Sequence, residues 1–109
     1  MSDLAQKKCV PCEGGVPPLE KAEVERLLAQ VPGWALSEKL LSKEFQFKNF
    51  VEAMKFVNQV AGIAEREGHH PDIQIHYNRV RFDIWTHAIG GLSENDFILA
   101  AKIDALARR

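Results

Sequence analysis

The sequence predicts an α+β domain: one four-stranded antiparallel sheet with helices packed on one face, its elements running αββαββα. Three observations predict it. Three stretches read as helices, two pairs of short stretches alternate apolar and polar residues, and the links within each pair are short enough to make them antiparallel hairpins. At 109 residues the chain is the length of one domain.

Residues 1–18 hold Pro11, Gly14, Gly15, Pro17 and Pro18 without hydrophobic period, so they read as an irregular leader, and residues 19–109 as the single domain. From Leu19 to Val31, Leu19, Val24, Leu27, Leu28 and Val31 recur near the helical period, with Glu20 and Glu23 where the helix dipole favours anions; Pro32-Gly33 ends this helix. Trp34–Leu36 and Leu40–Phe47 then form a hairpin around Ser37-Glu38-Lys39. Phe50, Ala53, Met54, Val57, Val60, Ala61 and Ala64 follow the i, i+3, i+4, i+7 template, which predicts a helix over 50–67, closed by Gly68 and kept from continuing by Pro71. Ile73, Ile75 and Tyr77, then Val80, Phe82 and Ile84, alternate with polar residues and make the second hairpin, its second strand reaching His87. After Gly90-Gly91, Ser93-Glu-Asn-Asp96 starts a last helix to about Ala107.

The formal charge is -1, so no cationic field recruits nucleic acid or an anionic membrane. Phe97–Ala101 is the longest clear apolar run, far short of the roughly 20 residues a membrane span needs. The first residues lack a secretory h-region, which makes the cytoplasm the expected location. Cys9 and Cys12 form one C-x-x-C, either a redox dithiol or half of a zinc site.

His69, His70, His76 and His87 are the only histidines, and all fall between residues 69 and 87. Imidazole both gives and takes protons near neutrality, so such a cluster suits general acid-base chemistry. If the second hairpin turns at Asn78-Arg79, His70 lies opposite His87; if it turns at Tyr77-Asn78, His70 faces Trp85 with His87 one diagonal, roughly 7 to 8 Å, away. Glu65, four residues before His69, can reach an imidazole just past the helix end, where a carboxylate favours the charged ring. Asp96 matches an S-x-x-D capping box as well as it matches a site carboxylate. Trp85 among polar neighbours is placed to stack on a flat ligand, whereas Trp34 reads as core and His76 as an exposed strand residue. Metal is not expected: there is no H-x-x-x-H pair and no second C-x-x-C.

The run Glu65-Arg-Glu-Gly-His69-His70-Pro71, with Tyr77, Thr86-His87 and Gly91-Leu-Ser-Glu-Asn-Asp96, resembles the signature of the pterin-4a-carbinolamine dehydratases. The similarity runs from about Leu19 to the C-terminus, including Trp34 and Phe45-x-Phe47. It implies dehydration of 4a-hydroxytetrahydropterin to quinonoid dihydropterin, without metal or organic cofactor, in the recycling of tetrahydropterin. His69, His70 and His87 carry over as catalytic or pterin-binding residues, Glu65 and Asp96 as supporting carboxylates, and Pro71 and Trp85 as substrate-binding candidates. The family also implies a homodimer or homotetramer, in keeping with a last helix apolar around most of its circumference. The alternative is a non-catalytic protein-binding or dimerisation module of the same fold.

Overall fold

The computed structural model describes residues 4–9, 18–37 and 39–108. Helix α1 spans Lys21–Leu28, strands β1 and β2 Ala35–Ser37 and Leu40–Gln46, helix α2 Phe50–Glu67, strands β3 and β4 Asp72–His76 and Arg79–Ile84, and helix α3 Glu94–Ala107. Short 3-10 turns at Leu4–Gln6 and His87–Ile89 are added to the expected αββαββα order. Cys12 and Glu38, on which two of the expectations above rest, lie outside the described residues.

The sheet is antiparallel throughout, in the order β1-β2-β4-β3. Its apolar face follows from the alternation: Leu41 pairs with Ile84, Phe45 with Val80 and Ile73 with Phe82, and the helices cover this side. Ile75 opposite Val80 settles the second hairpin on the Tyr77-Asn78 turn. Tyr77 there takes a left-handed φ of 54°, and its exposed ring stacks on Phe50 at 6.5 Å. Strand β4 stops at Ile84, short of the expected His87, because the chain turns into the second 3-10 segment. Among the described residues, no helix covers the opposite face. There Asp83 accepts hydrogen bonds from Ser42 (2.7 Å), Arg81 (2.9 Å) and Gln74 (3.2 Å).

The Asn49 side chain caps α2 by accepting the Glu52 N–H at 2.9 Å, worth about 1 kcal/mol, and Gly68 closes it at φ 66°. Its core stripe differs in detail from the sequence reading. Phe56, not Phe50, enters the core and meets Phe45, Phe47 and Phe82 with ring centroids 5.0 to 5.9 Å apart, while Phe50 and Ala61 face outward. Lys43 sits on the apolar face of β2 and pairs with Asp104 at 2.9 Å, whose carboxylate also accepts the Trp34 indole N–H at 3.1 Å.

Of the ten residues of helix α3 from Asn95 to Asp104, all but Lys102 are buried. The turn at Leu4–Gln6 lies against it, with Leu4 only 2% exposed in the core. Its apolar circumference is therefore hidden within one chain, and the sequence argument from that circumference to self-association loses its premise. Among the described residues, no helix is long and apolar enough to cross a membrane.

Candidate active site

Two clefts of about 640 Å³ open on the surface, large enough for a small heterocycle. One, beside Lys43, Phe45 and Asp104, contains no histidine. The other gathers His69, His70, Pro71, Trp85 and His87 with Glu65, and places Cys9, Thr86 and Asn95 around them.

The left-handed Gly68 sends successive residues to different places. His69 turns inward, and its Nε2 lies 2.6 Å from Asp96 Oδ1; the two side chains are 12% and 0% exposed. The second Asp96 oxygen accepts the Ser93 N–H and the Thr86 hydroxyl, both at 2.8 Å. One carboxylate thus both caps α3 and holds an imidazole, so the two sequence readings of Asp96 do not compete. Thr86 is itself fixed by a bridge to Gly91, where a Cβ would come within 2.8 Å of Pro18.

His70 is held out of the helix by Pro71, and its Nε2 lies 2.6 Å from Glu65 Oε1 with both side chains exposed. The i,i+4 expectation pointed Glu65 at an imidazole past the helix end, and the structure gives it His70: the helical path ends at Gly68, which carries His69 away to α3. His87 opens the second 3-10 turn, its ring 4.1 Å from that of Trp85, which has Lys39 Nζ 4.9 Å from its centroid. The ladder between β3 and β4 ends at Asp72 and Asp83, so His70, Trp85 and His87 meet by lining one cleft and not as cross-strand partners. His76 ends β3 opposite Arg79, exposed and outside the cleft, and Trp34 is core, as both were read. Thr86 was not singled out from sequence, since a lone hydroxyl carries no spacing; its place before His87 in the signature was the available signal. Among the described residues, no group of three His, Cys, Asp or Glu converges as metal ligands would.

Two imidazole-carboxylate pairs and a third imidazole packed on an indole thus surround one opening. Such an arrangement can protonate one position of a bound molecule and deprotonate another.

The model of a family described as Pterin 4 alpha carbinolamine dehydratase matches residues 17–106. A provisionally named pterin-4-alpha-carbinolamine dehydratase of Nitrosomonas eutropha is 57% identical over 95% of this chain and 93% of its own. One from Rubrobacter xylanophilus, with the same provisional name, is 52% identical over 97% of this chain and 100% of its own. A crystal structure described as a transcriptional coactivator/pterin dehydratase from Brucella melitensis is 34% identical and superposes with a TM-score of 0.79, covering 83% of this chain and 98% of that one. A pterin dehydratase-like protein described as a RuBisCO assembly factor of the alpha-carboxysome is 27% identical, with a TM-score of 0.56, over 68% of this chain and 86% of that one.

Proposed function

The chain belongs to the pterin-4-alpha-carbinolamine dehydratase family, and on that premise we propose that it dehydrates a 4a-hydroxytetrahydropterin, with His69, His70 and His87 handling the protons. The observation that carries this reading is the convergence of the three imidazoles, two with a carboxylate at 2.6 Å, on one cleft.

The reaction breaks the C4a–O bond and the N5–H bond. A proton is delivered to the departing hydroxyl, which leaves as water, and the N5–H electron pair becomes the new N5=C4a bond. The change is redox-neutral and requires one acid and one base, each worth about 10²- to 10⁴-fold when well placed. Asp96 orients His69, while Glu65 stands by His70 on the open side, where protons exchange with solvent. The ring nitrogens of His87 take no protein partner among the described residues, and the Trp85 face beside it offers a surface for a flat bicyclic ring. Acid and base are assigned to the cluster and not to single rings, since each imidazole can play either part.

Carbinolamine generated by a hydroxylase and followed by ultraviolet absorbance tests the proposal: the protein is expected to accelerate its decay, and His70→Ala or His87→Ala to abolish most of the acceleration. Decay no faster than in buffer refutes it. A second reading, a protein-binding module, draws support from the likeness to a described coactivator and a described assembly factor. It predicts a stable complex that survives both histidine substitutions. The dimer or tetramer expected from the resemblance belongs to the proposal as well, and sedimentation velocity measures it.

A further inference from the structure

Residues 4–9 precede the stretch 17–106 that the family model matches, yet Cys9 forms part of the wall of the histidine cleft. Leu4 is anchored in the core. Beyond it, these contacts among the described residues tie the segment down. Lys102 donates to the Ala5 carbonyl at 3.0 Å, Lys7 pairs with Glu94 at 2.8 Å, the Cys9 thiol reaches the Asn95 carbonyl at 3.6 Å, and the Cys9 N–H donates to Glu67 Oε1 at 2.8 Å.

The contacts of Ala5, Lys7 and the Cys9 thiol end on α3, and that of the Cys9 N–H on the last turn of α2. Glu67 is 10% exposed, and its other oxygen lies 3.8 Å from Lys102 of α3. A carboxylate so far removed from water depends on donors from the protein. The two anchor points flank the chemistry: only Gly68 separates Glu67 from His69, and Asn95 adjoins Asp96. The segment therefore bridges the end of the helix that delivers His69 and the start of the helix that delivers Asp96.

We propose that residues 4–9 are a positioning strap for the site, and that Glu67 is the positioning residue through which they fix the contact between His69 and Asp96. The strap touches none of the reacting atoms; it holds the distance between two helices that carry a matched pair. A displacement of about 1 Å in such a pair is enough to cost as much as 10²-fold in rate.

Variants separate the backbone tie from the rest of the segment. Cys9→Ala keeps the N–H that Glu67 accepts, and Cys9→Pro removes it. Glu67→Gln keeps an acceptor oxygen, and Glu67→Ala removes it. Long-range proton-nitrogen correlation spectra report the His69 ring nitrogens directly. Cys9→Ala and Glu67→Gln are expected to keep the wild-type ring signals, the latter with kcat within about twofold, whereas Cys9→Pro and Glu67→Ala shift those signals and Glu67→Ala lowers kcat by about 10- to 10²-fold with KM little changed. Rescue by the glutamine variant is the signature of positioning. Cys9→Pro and Glu67→Ala proteins that fold and keep wild-type His69 signals would overturn the proposal, and so would loss of the fold in both, which would make the segment a stability element only. The kinetic arm rests on the dehydratase reading. The spectroscopic arm does not, so an inactive wild-type protein refutes that reading and leaves the strap decidable.

Discussion

His69 with Asp96 and His70 with Glu65 are separated by the same 2.6 Å, and they are adjacent in sequence at the histidine end, yet they are different objects. In the first pair the side chains are 12% and 0% exposed and the carboxylate is saturated by a hydroxyl, a backbone N–H and the imidazole. In the second they are 59% and 78% exposed, with water free to replace either partner. Distance alone therefore does not rank an ion pair; burial and the number of other donors do. The inner pair fixes geometry, and the outer one communicates with solvent.

The sharpest way to break this contrast is Asp96→Ala. It removes the buried acceptor that the His69 ring, the Thr86 hydroxyl and the Ser93 N–H share, although Thr86 keeps Ser93 Oγ at 2.8 Å, so urea denaturation should show a loss of about 3–5 kcal/mol, and the dehydratase rate should fall by at least about 10²-fold. His70→Ala comes next: a rate loss of about 10²- to 10⁴-fold with the unfolding free energy unchanged within about 0.5 kcal/mol. A His70 variant as unstable as the Asp96 variant would erase the distinction. Glu65→Gln is smaller still, about 0–1 kcal/mol of interaction or up to about fivefold in rate, and the difference from wild type should shrink as salt is added. The control is Glu23, which Arg26 contacts at 2.8 Å and which, like Arg26, does not line the cleft. The hydrogen bond and charge of Arg26 hold the Glu23 carboxyl below its ordinary value. Its contribution is accordingly complete above that ordinary value and disappears as pH falls through the lowered one. Both groups are exposed, so Glu23→Gln should leave the melting temperature at neutral pH unchanged by calorimetry.

Much of the fold could be read from periodicity because α2 and the two hairpins repeat their apolar residues regularly, and Gly68 and Pro71 mark where the helix must stop. The histidine cluster was legible for the same reason, as a local density of one residue type. What escaped lacked a repeating pattern. Leu4 is a single apolar residue ahead of a proline- and glycine-rich stretch, and nothing in its spacing announces that α3 needs it as a cover. Phe56 and Phe50 both lie near the edge of the helical stripe, and only the positions of Phe45, Phe47 and Phe82 decide which one is taken in. The choice of His70 by Glu65 depends on a left-handed backbone angle at Gly68, which spacing arguments for a continuing helix do not contain.

The helix-free face of the sheet has a practical consequence for measurement. Asp72 borders the cleft, and His76 at the other end of β3 stands about 13 Å away at 3.3 Å per residue. Gln46 shares that remote end, aligned with Arg79. A fluorophore or a sensor-chip linkage attached at Gln46 therefore stands clear of the opening, so that ligand arrival can be timed on tethered molecules without the label obstructing the path.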